Sequence, residues 1–150
     1  RHMIPQEVLE LMPGRVINLH TSYLPYNRGS SPNFFSFLED TPKGVTIHLM
    51  SAGLDEGDIL CQRELHFDEE KETFASTYEA LLQEIEKLFR ENWQQIREGS
   101  IIPVKQAGPV TYHRMKDLDA IREKVDFDWN MKIGDFKRAY EKAMRKDENS

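Results

Sequence analysis

Between Thr73 and Glu98 apolar residues recur every three or four positions, from Phe74 and Tyr78 through Leu81, Ile85 and Leu88 to Trp93 and Ile96, with Glu, Lys, Gln and Arg between them. That spacing predicts one long amphipathic helix ended by Gly99, and it is the feature that most restricts the fold. A helix apolar along one face for so many turns has to lie on a second layer. The second layer is legible upstream, where the period changes from helical to two. Arg15–His20, Val45–Met50 and Asp58–Phe67 read as strands; in the middle one Val45, Ile47 and Leu49 face one way and Thr46, His48 and Met50 the other. The loop Ser51–Gly57 is too short for a crossover, so the strands on either side of it are expected to form an antiparallel hairpin.

Shorter elements complete the reading. Pro5–Met12 is expected to be a helix, closed by Pro13-Gly14. Ser31-Pro32, as cap and first-turn proline, opens another through Phe34, Phe35, Phe37 and Leu38. Residues 101–111 form a Pro- and Gly-punctuated connection, and Met115–Ser150 holds one or two helices with a fraying polar tail from Lys146. The class is α/β, a sheet flanked by helices.

Composition removes several functions. A net charge of -6 with pI near 5.4 disfavours general phosphate-backbone binding, which needs clustered Lys and Arg. The single cysteine, Cys61, cannot form an intrachain disulfide and reads as a small strand hydrophobe; no apolar run is long enough to span a membrane. A cytoplasmic setting is the simplest expectation. There is no Cys or His cluster of zinc spacing and no glycine loop of phosphate-binding type, so no metal is expected. The acidic run Asp68-Glu69-Glu70 reads as a solvated turn before the long helix.

Three residues have the chemistry of a catalytic site. Asn18 and His20 share one face at the carboxyl end of the first strand, and Asp55 lies in a loop after another strand, where it can reach the same edge. A neutral His takes and returns a proton, an Asp orients it, and an Asn amide donates to a developing oxyanion: the parts that acyl transfer to an amine needs. Spacing alone is equally served by a strand His and Asn that merely satisfy hydrogen bonds.

Longer motifs separate the two readings. Val16-Ile17-Asn18-Leu19-His20-Thr21-Ser22-Tyr23-Leu24-Pro25, then Arg28-Gly29, Gly44-Val45-Thr46-Ile47-His48 and Gly53-Leu54-Asp55-Glu56-Gly57-Asp58-Ile59-Leu60 resemble the 10-formyltetrahydrofolate-dependent formyltransferases, over Ile4 to about Ile96. The resemblance implies the carboxyl-terminal part of a Rossmann-like mixed sheet. It makes Asn18, His20 and Asp55 the catalytic triad, with an amine attacking the formyl carbon of 10-formyltetrahydrofolate and Asn18 and protonated His20 stabilising the oxyanion. It assigns the pterin pocket to Arg1, His2, Met3, Ile4 and Val8 on one wall and Ser51, Ala52, Gly53 and Leu54 on the other. Ser51-Ala52-Gly53 departs from the acidic Asp-Glu-Gly usual there.

Tyr23 to Gly29 and Tyr112-His113-Arg114 look most like members that formylate amino sugars carried on nucleotides. Tyr23, Arg28 and His48 are accordingly the candidate substrate contacts, with Arg28 a candidate phosphate ligand. Methionyl-tRNA formyltransferase is the alternative, disfavoured by the acidic balance; glycinamide ribonucleotide formyltransferase is a further relative by resemblance. A formyltetrahydrofolate hydrolase would use the same triad with water as acceptor. Residues 1–100 are expected to be the catalytic core and 101–150 a helical extension. By the resemblance the abrupt start at Arg1 implies a missing amino-terminal half. By the same resemblance the chain also reads as a non-catalytic fragment with an exposed sheet edge, and Trp129 and Phe136 are candidates for a dimer surface or for internal packing.

Overall fold

The structure, a computed structural model, describes residues 4–149. The predicted pocket residues Arg1, His2 and Met3 lie outside the described residues. In chain order the elements are α1 (Gln6–Leu11), β1 (Ile17–His20), β2 (Arg28–Gly29), α2 (Pro32–Leu38), β3 (Lys43–Leu49), β4 (Ile59–Leu65), α3 (Phe74–Glu98), β5 (Tyr112–His113), α4 (Met115–Arg122) and α5 (Ile133–Glu148). The long helix and three main strands stand where the periodicities put them, with ends shifted by a residue or two, β3 starting two residues earlier than expected.

The main sheet has the order β1-β3-β4 and is antiparallel throughout. Its register places Asn18 opposite His48 and His20 opposite Thr46. The polar alternate residues of β1 and β3 therefore lie side by side on one face. The other face carries Val45 and Ile47, which pack beneath Leu81, Ile85 and Leu88 of α3. Thr73 starts α3 with a capping box shared with Ser76, and Gly99, in the left-handed region at φ 69°, ends it.

A second core gathers around the first turn of α3. Phe34, Phe35 and Phe37 of α2 meet Phe74, and from the last third of the chain Leu118, Val125, Ile133 and Phe136 close over them. Burying each such phenylalanine contributes about 1.5–3 kcal/mol before its entropy cost, so residues 115–140 stabilise the same core as α2. Phe136 is fully buried there, whereas Trp129 stays 43% exposed; the two residues grouped together in sequence have different environments.

Three local expectations are corrected. Ser31 makes no side-chain cap and sits in the left-handed region at φ 51°. The tail does not fray at Lys146, since α5 runs to Glu148. The acidic run is not merely solvated: Glu69 pairs with Lys137 at 3.1 Å and Glu70 with Arg138 at 2.7 Å, docking α5. Beside these, Arg28–Gly29 pairs in parallel with Tyr112–His113, a long-range ladder with no local signature. Cys61 is half-buried in β4, and burial pushes its thiol pKa up, consistent with a packed and unreactive role. Among the described residues no helix is long and apolar enough to cross a membrane.

Candidate active site

Register brings the polar groups together. His48 Nδ1 lies 2.8 Å from the carbonyl oxygen of Leu49, which only accepts, so Nδ1 carries the proton and Nε2 is an acceptor. Asn18 Nδ2 donates to that Nε2 at 3.2 Å and to Asp55 Oδ1 at 3.2 Å. This assigns the Asn18 amide, with its nitrogen turned inward. His48 Nε2 and Asp55 Oδ1 are themselves 3.6 Å apart. Two acceptors in that near-equilateral triangle subtend roughly 70° at the nitrogen, whereas its N–H bonds diverge by roughly 120°. Each N–H therefore serves one acceptor, directed roughly 25° outside the line to it.

His20 is fixed by the same logic. Its Nε2 donates to the main-chain oxygen of Asn27 at 2.9 Å, which makes Nδ1 the basic nitrogen of the neutral ring. Nδ1 faces Asp55 Oδ2 at 3.7 Å, and both side chains are nearly inaccessible. Oδ2 also accepts from the Gly29 amide at 2.9 Å. The loop beneath His20 is tied down by Thr46, whose hydroxyl donates to Ser22 O at 2.7 Å and accepts from the Leu24 amide at 3.2 Å.

Asp55 itself adopts φ 55°, a conformation that needs support from outside the loop. Gln106 supplies it. Its Nε2 donates to Asp55 O and Gly57 O, each at 2.8 Å, while its Oε1 accepts from Arg28 Nη2 at 2.8 Å and Nε at 3.1 Å. Gln106 carries no sequence signal, since it sits in an aperiodic connection and its partners, two main-chain oxygens and the Arg28 side chain, are distant in sequence. Replacing Gln106 with Leu is expected to lower kcat of the transfer proposed below by roughly tenfold to a hundredfold, as a shift of about 1 Å in a catalytic group does. Amide exchange at Gly29, which reports on the Asp55 carboxylate, should quicken in the same variant; an unchanged kcat and unchanged exchange refute the role.

These groups open on a cleft of about 460 Å³ lined by Asn18, His48 and Asp55, by Ile4, Met50, Ser51, Gly53 and Leu54, and by Tyr112, His113, Arg114 and Met115. Of the predicted pocket residues Ile4, Ser51, Gly53 and Leu54 face it. Val8 is 41% exposed on α1 and, like Ala52, does not line it. Tyr23 does not line it either, and Arg28 is committed to Gln106 and, at 3.7 Å, Glu56. His113 was read only as part of a motif; it stacks on Phe35 with centroids 3.6 Å apart, and its Nε2 lies 2.8 Å from Glu39 Oε1, off the ring N–H direction. Among the described residues no group of three or more His, Cys, Asp or Glu is placed to hold a metal ion.

An antiparallel sheet here brings Asn18 and His20 against Asp55 beside a cleft, and comparison with known proteins gives the chain a family. Residues 1–92 match the formyl transferase family, and the chain belongs to that family. It is 34% identical over 108 residues to the dTDP-4-amino-4,6-dideoxyglucose formyltransferase of Mycobacterium bovis, covering 72% of this chain and 46% of that enzyme. It is 35% identical over 130 residues to the methionyl-tRNA formyltransferase of Bacillus mycoides, covering 85% of this chain and 40% of that enzyme. The chain thus spans less than half the length of both. Among solved structures, the formyltransferase PseJ from Anoxybacillus kamchatkensis, in complex with UDP-4,6-dideoxy-4-formamido-L-AltNAc and tetrahydrofolate, superposes with a TM-score of 0.84 at 45% identity, covering 89% of this chain and 70% of PseJ.

Proposed function

We propose that this chain carries the catalytic groups of an enzyme that transfers a formyl group from 10-formyltetrahydrofolate to a primary amine on a nucleotide-linked sugar. The observation that carries the proposal is the convergence of Asn18 and His20, from one strand, on Asp55, from a loop: Asn18 Nδ2 donates to Asp55 Oδ1 at 3.2 Å and His20 Nδ1 faces Oδ2 at 3.7 Å, with Asn18 and Asp55 lining the cleft. Likeness to PseJ, held with a formamido sugar nucleotide and tetrahydrofolate, supports both substrates. The net charge of -6 supports a small acceptor over tRNA. In this reading residues 1–100 form the catalytic core, and 101–150 extend it and support it through Gln106.

The cleft suits the cosubstrate. Ile4, Met50 and Leu54 offer apolar surface to a flat heterocycle, and among the described residues the main chain of 51–54 makes no backbone–backbone hydrogen bond; apart from Gly53 O, which accepts from Ser51 Oγ at 3.4 Å, its groups can serve the ring's polar edge. The bound cosubstrate supplies the formyl carbon: a bond from the acceptor nitrogen to that carbon forms, the bond from that carbon to the donor nitrogen breaks, and one proton passes from the former nitrogen to the latter. Asn18, which lines the cleft, turns an N–H from His48 or Asp55 to the oxygen that becomes negative. His20 takes the proton at Nδ1, and Asp55 Oδ2 at 3.7 Å stabilises the imidazolium. His48, held by Leu49 O, keeps the Asn18 amide turned the right way.

The full chain incubated with 10-formyltetrahydrofolate and a panel of nucleotide-linked amino sugars should yield tetrahydrofolate and an acceptor heavier by one formyl group. Release of formate with no modified acceptor would instead identify a hydrolase, and formylation of methionyl-tRNA alone would identify the other branch of the family.

A further inference from the structure

The neutral His20 ring carries one N–H and has an acceptor on each side: Asn27 O, 2.9 Å from Nε2, and Asp55 Oδ2, 3.7 Å from Nδ1. The carboxylate is the stronger acceptor but stands beyond hydrogen-bond length, so the proton stays on Nε2 only while the Asn27 carbonyl is held close. What aims that carbonyl comes from the carboxyl-terminal third of the chain. The Arg28 amide donates to Thr111 O at 2.9 Å, and in a trans peptide the preceding carbonyl points the opposite way, away from Thr111 and toward His20. The Asn27 amide donates to Thr111 Oγ1 at 2.7 Å, so the N–H groups on both sides of the Asn27 α-carbon end on one residue, 84 positions further along. We infer that Thr111 is a positioning residue for formyl transfer: it clamps the chain at Asn27, aims the Asn27 carbonyl at His20 Nε2, and so leaves Nδ1 as the nitrogen that takes the proton beside Asp55. Its effect on turnover rests on the formyl-transfer reading, whereas its effect on the His20 tautomer does not.

The surroundings of Asn27 show why a clamp is needed. Its backbone stands in the left-handed region at φ 57°, a conformation that a non-glycine residue keeps only where contacts around it over-determine the chain. Asn27 is fully buried, and its side chain is anchored on a second threonine, Nδ2 donating to Thr41 Oγ1 at 2.8 Å, while its Oδ1 has no partner. The amide is thus incompletely satisfied in a place where the backbone is closely fixed. Thr111 is itself fixed by the ladder that follows it, in which Arg28 stands opposite Tyr112 and the Ser30 amide donates to His113 O at 2.8 Å. The bonds from His20 Nε2 to Asn27 O and from the Arg28 amide to Thr111 O lie in series across one peptide, and such a series polarises each of its members. When the ring gains its second proton, Nε2–H becomes a charged donor and its bond to Asn27 O strengthens. The carbonyl that sets the tautomer therefore also supports the charge that follows.

The test reads the tautomer and the turnover on the same variants. With histidine labelled by ¹⁵N in the full chain, and the His20 signals assigned by their loss in His20→Gln, the neutral ring should show a protonated Nε2 and a bare Nδ1. Thr111→Val keeps the shape of the side chain and removes the acceptor of the Asn27 amide; it should bring up the opposite tautomer, with Nδ1 protonated toward Asp55. In the transfer assay kcat should fall about tenfold, as a competent tautomer reduced to about one part in ten dictates, with the KM of each substrate within about twofold of the unmodified chain. Thr111→Ser, which keeps the oxygen, should restore both the tautomer and kcat. Thr41→Val loosens Asn27 from its other anchor and should move the tautomer the same way, which keeps the test open if Thr111→Val does not fold. A protonated Nδ1 in the unmodified chain overturns the inference, as does a tautomer that stays unchanged in the folded valine variants, or a serine variant as impaired as Thr111→Val. Absence of any formyl transfer by the unmodified chain counts instead against the formyl-transfer reading, while the ¹⁵N signals still report on the clamp.

Discussion

Replacement of Asp55 by Asn is expected to abolish most of the transfer activity, lowering kcat by about 10²–10⁴, the range that positioned acid–base groups contribute. The substitution is nearly isosteric, so the loss has to come from charge and hydrogen-bond direction. Asp55 accepts at both oxygens, from the Gly29 amide at 2.9 Å and from Asn18 Nδ2 at 3.2 Å. An Asn carboxamide turns its own NH₂ toward one of those donors, so either Gly29 or Asn18 faces a donor where it had an acceptor. Its charge is gone as well, and the imidazolium of His20 loses its counter-ion at 3.7 Å. Steady-state kinetics on the variant, with far-UV circular dichroism to establish that it is folded, test this; unchanged turnover would remove Asp55 from the mechanism.

Gly57→Ala is expected to be the most damaging single methyl group at the site. A Cβ built there would lie 1.6 Å from Leu49 O, a main-chain atom in a sheet, and 3.3 Å from His48 Nδ1. The obstacle cannot rotate away, so the backbone has to move. That movement disturbs the bond from His48 to Leu49 O and the bond from Gln106 to Gly57 O together, and with them the placement of Asn18 and Asp55. Overpacking of this kind costs about 1–3 kcal/mol, which for a chain of this size lowers Tm by roughly 3–10 °C. A loss of kcat of about a hundredfold should accompany it, since the catalytic loop shifts by a fraction of its contact distances. Thermal unfolding and kinetics on the same preparation decide; wild-type values for both would show that the loop is looser than its contacts indicate.

How far the site could be read in the linear sequence depends on the range of the force that built each part. Asn18 and His20 share a face because a strand alternates, a rule that acts over two residues. The stripe of α3 and the hairpin joining β3 to β4 are likewise local. Gln106 is the opposite case. It holds Asp55 and Arg28 through main-chain and side-chain atoms far away in sequence, and nothing around it differs from an ordinary loop. Arg28, read from its motif as a phosphate ligand, is turned to a neighbour that only the folded chain supplies. Trp129 looked interchangeable with Phe136, yet one closes the aromatic core and the other walls a groove.

Local sequence was enough for the long helix, for α1 and α2 and for the three strands of the main sheet, and it pointed to the three candidate catalytic residues and their family, but not to the β2–β5 ladder. Tertiary structure decided the rest: the register that sets Asn18 beside His48, the protonated nitrogen of each histidine, the clamp on Asp55, and the aim of the Asn27 carbonyl. The reason is physical. Periodicity follows from backbone geometry within a few residues, whereas hydrogen-bond direction and cavity shape arise only where distant segments meet at ångström separations.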